Sequence, residues 1–323
     1  MKNPVSSRTQ LVSSLSPISD DPAAAVALAR AAVRSHRDPD EESAPFLSSV
    51  EGDIASGAAR GVLRMHDGRA VGIALWSPPA PPGLRVEILH LEDGRGSESA
   101  YREFFLEVEA TAGPVAFAPG RLAGLSASDE RHLMESLGFA MFARSEMRFP
   151  PGAGTPEARA AEGLAPFAPE DEPGLRRVYR EAYGERLDRY LFLLDPDPEK
   201  EALAAMREIL DGRWGEFLPW ASFVVRDDGR VVAATLVTRA SYGPLIAHVM
   251  VDPERQGRGL GRAVLIATIR ALRSRGESVI VLNVTEGNTR AIGLYERVGF
   301  VRTLGPFHGW YSTAHVPVRP AGD

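Results

Sequence analysis

Apolar positions along this chain follow two rhythms. Over residues 170–183, Leu175, Val178, Tyr179 and Ala182 stand at i, i+3, i+4 and i+7, which gathers them on one face of a predicted helix. A second helix is predicted over 198–211, closed by Gly212. Residues 222–226 and 231–238 are largely apolar and flank Asp228-Gly229, the signature of an antiparallel hairpin. A further strand is predicted over 245–251. A glycine-rich turn follows, then a helix over 260–274 stopped by Gly276, a buried strand over 279–284 and a short helix over 289–298 stopped by Gly299. Strand character resumes at Phe300. The predicted order is helices, three strands, helix, strand, helix and strands, an α/β unit.

The same signals occur earlier in the chain. Asp67-Gly68-Arg69-Ala70-Val71 with Leu75 matches Asp228-Gly229-Arg230-Val231-Val232 with Leu236. Gly94-Arg95-Gly96 with Ala100 matches Gly257-Arg258-Gly259 with Ala263, and Leu133, Glu135, Gly138 and Phe139 match Leu294, Glu296, Gly299 and Phe300. Three matches in one order at a nearly constant offset indicate duplication. Pro150, Pro151, Gly152, Gly154 and Pro156 crowd the seam, so a boundary near residue 155 is expected, with copies over 22–154 and 155–323. Residues 1–21 are rich in serine and proline and lack the apolar segment of a signal peptide, so they are expected to form a polar, disordered tail.

A length of 323 residues, 44% hydrophobic and 25% charged, suits two folded units. The absence of cysteine excludes a disulfide, a thiolate metal site and a cysteine nucleophile, and no metal is expected. The net charge is −6 with only two lysines and no basic block, which argues against a nucleic-acid partner. No apolar run approaches the ~18 residues of a membrane span, so a cytoplasmic protein, monomer or homodimer, is expected.

The candidate chemistry lies in Val251-Asp252-Pro253-Glu254-Arg255-Gln256-Gly257-Arg258-Gly259-Leu260-Gly261-Arg262, which joins a strand to a helix. Glycines at 257, 259 and 261 allow close backbone approach, and the first-turn amides of the helix have no intrahelical acceptor. Such a terminus binds anions, with Arg258 and Arg262 in reach of phosphate oxygens. No Lys-Ser or Lys-Thr follows Gly261, which excludes the nucleoside-triphosphate loop. Alternating glycines after a hairpin also differ from the dinucleotide fingerprint. The alternative is a tight turn whose arginines face solvent.

Gln256-Gly257-Arg258-Gly259-Leu260-Gly261 resembles the Q/R-x-x-G-x-G/A pyrophosphate motif of the GNAT superfamily of acetyl-CoA-dependent N-acetyltransferases, and residues 282–300, with Asn288, Ala291, Leu294-Tyr295 and Gly299-Phe300, resemble its second signature. The resemblance implies two tandem GNAT-like α/β domains, each a mixed, mostly antiparallel sheet flanked by helices. It implies acetyl-CoA as co-substrate, held by the backbone of Val249, Met250 and Val251, by Gln256, Gly257, Arg258, Gly259, Leu260, Gly261 and Arg262, and by Asn288 at the pantetheine arm. Tyr295 would stand near the sulfur, where a phenol can protonate the leaving thiolate; packing on the inner helix face is its other reading. The amide near Val249 or Met250 would serve the oxyanion.

The base is open. Family members carry a glutamate at the position of Asn283 or of Leu245, and neither residue accepts a proton; Asn283 can hold a water or the amine. His248 faces away from Val249 and Val251 by strand alternation and reads as a buried, satisfied histidine rather than a base. Glu286, Glu216, Tyr242 and a water chain remain. His308, Trp310 and Tyr311, with Trp214, Trp220 and Tyr242, are candidates for the acceptor pocket or for simple aromatic packing.

In the first copy Glu98 replaces Gly261, beside Glu92 and Asp93, Met134 replaces Tyr295, and no counterpart of Asn288 lies between residues 112 and 128. That copy is expected to have lost its coenzyme site and to wall the acceptor pocket, an arrangement resembling the mycothiol synthase family. The expected activity is acetyl transfer to a primary amine of a small molecule by the second copy. A non-catalytic CoA-binding scaffold or sensor, and a protein N-terminus as acceptor, are the alternatives.

Overall fold

A computed structural model describes residues 14–36, 43–77, 83–92, 94–157, 161–184, 186–191, 195, 197–240 and 243–316. Tyr242 and Asp93 lie outside them. Contacts divide the chain into a first unit, residues 1–141 with 309–315, and a second, 142–308 with 316–323.

The first unit runs β1 (Ser14–Pro17), α1 (Pro22–His36), α2 (Ser43–Ser56), β2 (Arg60–His66), β3 (Arg69–Trp76), β4 (Leu84–Leu91), α3 (Glu98–Ala112), β5 (Val115–Pro119) and α4 (Ala127–Ser136), reaching the start of β6 (Phe139–Phe149). Strands β1 to β4 are antiparallel neighbours, and β5 joins β4 in parallel. Leu28, Ala29, Ala32 and Val33 of α1 cover Leu63, Ile73 and Ile88 on one sheet face. Phe104, Phe105 and Val108 of α3 and Leu133 of α4 cover Val62, Ala74 and Leu89 on the other. The expected polar tail over residues 1–21 needs a correction from residue 14 onward, and residues 1–13 lie outside the described residues. Ser14–Pro17 pair with β2 and Ile18 is buried, because Leu15 and Ile18 give this short segment two apolar anchors.

The second unit continues with β7 (Leu164–Pro166), α5 (Glu172–Tyr183), α6 (Leu187–Leu191), α7 (Pro198–Leu210), β8 (Glu216–Phe217), β9 (Phe223–Asp227), β10 (Arg230–Ala240), β11 (Gly243–Val251), α8 (Leu260–Ser274), β12 (Ile280–Thr285), α9 (Thr289–Val298) and β13 (Val301–Ser312). Its sheet runs β7-β9-β10-β11-β12-β6, antiparallel except for β11 with β12. Helices α5 and α7 cover one face around Leu236 and Met250, and α8 and α9 cover the other around Leu282 and Val284. Each unit is thus the expected mixed sheet between helices. Among the described residues no helix is long and apolar enough to cross a membrane.

The duplication is visible in backbone detail. Asp67 and Gly68 have φ of 50° and 75°, and Asp228 and Gly229 have 50° and 76°, the paired left-handed conformation of a two-residue hairpin turn. Register shifts fall at Leu75/Trp76 in the first unit and at Leu236/Val237 in the second, positions that the repeat aligns. The contact division follows no single cut, since residues 309–311 of β13 pair with β5 of the first unit. There Trp310, one of the acceptor-pocket candidates, is 1% exposed and donates through Nε1 to Glu130 Oε1 at 2.9 Å, while Leu122 N donates to the other oxygen at 3.0 Å. Trp310→Ala is expected to destabilise the first unit by about 3–5 kcal/mol, read from urea unfolding, with a smaller loss for Trp310→Phe.

Candidate active site

Strands β11 and β12 of the second unit start side by side and then part. Their parallel ladder, among the described residues, is confined to Leu245 and Val281. Asp252 N donates to Val232 O on β10 at 2.9 Å, so alternation commits the Met250 amide to β10 as well and directs those of Val249 and Val251 into the opening. Met250 therefore drops out as oxyanion donor; its side chain is fully buried.

The glycine turn closes the mouth of this opening. Gly257 and Gly259 adopt φ of 80° and 81°, a region that disfavours a Cβ, and a Cβ there would meet nothing within 4 Å. At Gly261 space is the constraint: a Cβ would stand 3.2 Å from Val251 Cγ2 and 3.3 Å from Leu294 Cδ2. Ala263 N is the first to donate within α8, to Gly259 O at 3.0 Å, which leaves the amides of Leu260, Gly261 and Arg262 pointing outward. Gln256 acts as a strut: Nε2 donates to Val251 O at 3.2 Å and Oε1 accepts from Arg290. Asn288 caps α9 by accepting from Ala291 N at 3.2 Å. Arg262 lines the cavity, whereas Arg258 is exposed and lies outside its lining.

The turn, Asn283, Asn288 and Tyr295 open into one cavity of about 520 Å³. Tyr295 is 8% exposed, and burial holds its phenol well above the usual range, so it keeps its proton at neutral pH. The sequence reading missed the polar wall opposite. Arg144 from β6 stands across from Thr285, and Thr285 Oγ1 donates to Asp188 Oδ1 at 2.5 Å. Its signals were weak: Asp188 sits on a five-residue helix, and Arg144 falls within residues 22–154, the copy expected to lack a site.

His248 is buried and bonded as expected, with Nδ1 2.7 Å from Tyr183 Oη, although it also borders the cavity. Burial, reinforced by Arg144, pushes its pKa down to about 4, so it is neutral at physiological pH. Glu286 is tied to Arg302 and Ser145, which hold its carboxyl below the usual range. Glu216 lies 3.9 Å from Arg239.

The acetyltransferase (GNAT) family model matches residues 179–300. A mycothiol acetyltransferase of Thermomonospora curvata is 28% identical over 285 residues, covering 86% of this chain and 89% of that protein. Two solved structures share the fold. One is a GCN5-related N-acetyltransferase from Sphaerobacter thermophilus, with TM-score 0.61, 21% identity and 93% and 94% of the two chains covered. The other is a tandem GNAT protein from the clavulanic acid biosynthesis pathway, with TM-score 0.54, 16% identity and 93% and 97% covered. Residues 179–300 thus carry the likeness to the GNAT acetyltransferase family.

The match and the Thermomonospora curvata relative support an acyltransferase, and acetyl-CoA is the acetyl donor of the GNAT acetyltransferases. The second unit fits that donor: outward amides at a helix start suit a diphosphate, and the Val249 and Val251 amides suit the amides of the pantetheine arm. In the first unit the matching space is filled. Tyr101 is fully buried, its hydroxyl accepting from Leu91 N at 3.2 Å and donating to Ala123 O at 3.1 Å. Leu91 aligns with Val251, so Tyr101 occupies an amide of the kind that faces the opening in the second unit. The first turn is also pressed shut, since a Cβ on Gly96 would stand 2.1 Å from Ala123 O. Glu98 there pairs with Arg102 at 3.1 Å.

Two outcomes follow. Gly261→Glu, which copies the first unit's residue into the tight gap between Val251 and Leu294, is expected to abolish acetyl-CoA binding measured by calorimetry. The folded pKa of His248 lies below the ordinary 6.5, so proton uptake favours the unfolded chain. Its stabilising share is complete above about pH 6.5 and falls by about 3 kcal/mol on acidification to pH 4. Urea midpoints against pH should show this slope, and His248→Gln should remove that part of it.

Proposed function

We propose that the chain transfers acetyl from acetyl-CoA to a primary amine of a small molecule by direct attack, and that the coenzyme binds only in the C-terminal copy, residues 155–323. The copy over 22–154 is read as a degenerate unit without a coenzyme site. One observation carries the reading: the glycine turn and Tyr295 open into the same cavity of the second unit. The Tyr101 plug supports the restriction to that unit. The name of the Thermomonospora curvata relative, a mycothiol acetyltransferase, supports a small molecule as acceptor.

In this reading the amides of residues 260–262 and the Arg262 side chain hold the diphosphate, and Val249 and Val251 align the pantetheine arm. The Val249 amide stabilises charge developing on the thioester oxygen. Tyr295, kept protonated by burial, delivers a proton to the departing sulfur. Asn283, exposed on β12 and facing the cavity, holds the incoming amine or its water by hydrogen bonding. His248, with its pKa pushed down to about 4, is a poor proton acceptor from an ammonium, so the amine loses its proton to solvent before it attacks.

Thiol release with a panel of primary amines tests this. Tyr295→Phe is expected to lower kcat by about 100- to 10,000-fold with an unchanged Kd for acetyl-CoA. Full activity in that variant would remove the phenol from the mechanism, and tight coenzyme binding without turnover of any amine would replace the enzyme by a coenzyme-binding protein.

A further inference from the structure

The charges around the cavity are unevenly distributed. Among the described residues that line it are five arginines, Arg144, Arg186, Arg262, Arg290 and Arg297, and a single carboxylate, Asp188. An excess of guanidinium suits a ligand bearing phosphates. A carboxylate does not, because negative charge facing a polyanion is repelled. Asp188 therefore calls for a different ligand group, and its position indicates which.

Thr285, which holds Asp188 Oδ1, lies four residues beyond Val281 on β12, and Val249 lies four beyond Leu245 on β11. Leu245 and Val281 are the paired point of the parallel ladder, so Thr285 and the Asp188 carboxylate it holds stand at about the level of Val249, beyond the point at which the strands part. The Tyr295 phenol is within reach of the Asp188 charge, which raises it beyond the effect of burial, while Arg144 acts the other way. The carboxylate is thus next to the proposed reacting end and away from the turn at residues 256–261. Thr285 bonding fixes one oxygen and with it the carboxylate plane. Tyr183 and Tyr179 border the same space with apolar ring faces, which strengthen any charge pairing made there.

We infer that Asp188 is the anchor for the acceptor, binding it as a primary ammonium through Oδ2, with Thr285 as the residue that orients the carboxylate. This rests on the proposed acetyl transfer and adds a selection rule to it: cationic amines enter, whereas neutral isosteres lacking the ammonium do not. It also separates two tasks. Arg262 serves the coenzyme at the turn, and at the other end, where Arg144 also faces the cavity, one carboxylate serves the acceptor.

The test uses binding, so it does not require turnover. Glucosamine against glucose, ethanolamine against ethylene glycol, and cyclohexylamine against cyclohexanol are titrated by ligand-observed NMR into the full chain with acetyl-CoA present. The wild type is expected to bind the amine of a pair at least 10-fold tighter than its alcohol. Asp188→Asn is expected to lose that preference with an unchanged acetyl-CoA Kd, Asp188→Glu to keep part of it, and Thr285→Val to weaken amine binding several-fold. No amine preference in the wild type, or a preference that survives in Asp188→Asn, overturns the anchor and leaves Asp188 as a counter-charge for Arg144. Thiol release is followed in the same samples. Amine binding through Asp188 without transfer would sink the proposed function and not the anchor; transfer with an unchanged acceptor KM in Asp188→Asn would do the reverse.

Discussion

The parting of two parallel strands is the constraint on which the second unit depends. A strand inside a sheet normally spends its amides on both neighbours, and buried amides left without acceptors cost about 1–3 kcal/mol each. Beyond Leu245 and Val281 the ladder between β11 and β12 stops, and the Val249 and Val251 amides face an opening rather than a strand. The register shift at Leu236/Val237 re-aims β11 at this point. The glycine turn, Asn288 capping α9, and Tyr295 line the same cavity as this opening.

The first unit shows the same architecture with the corresponding amide bonded within the unit. It keeps the hairpin turn, the register shift and a 15-residue helix after the turn, as in the second unit. Yet Tyr101 bonds the Leu91 amide, and Gly96 is pressed against Ala123. The first unit bonds internally an amide of the kind that faces the opening in the second. A fold and a site are separable properties, and here one molecule displays both conditions.

Much of this was legible beforehand. The helices at 260–274 and 289–298 were readable because glycine stops and amphipathic spacing coincide, and the Asp-Gly pairs announced both hairpins. The glycine turn was readable because left-handed φ and close packing restrict the residue type. What escaped shares a physical cause: it depends on residues distant in sequence. Asp188 matters only because Thr285 and Arg144 come to face it. Tyr101 looked like any apolar helix position until its hydroxyl met Leu91. Trp310, read as an acceptor-pocket candidate, instead bonds Glu130 in the first unit. Ser14–Pro17 is too short for a periodicity and is defined by its pairing with β2.

The placement of residues 309–315 bears on the order of events during synthesis. A ribosome releases a chain from its N-terminus, and domains ordinarily fold as they emerge. Here the first unit's sheet receives its last edge, with Trp310 and its bond to Glu130, only after nearly the whole second unit has been translated. Until then β5 lacks its pairing with residues 309–311, and Glu130 lacks its Trp310 partner. The first unit thus precedes the second in sequence and yet is completed after it, by residues 309–315.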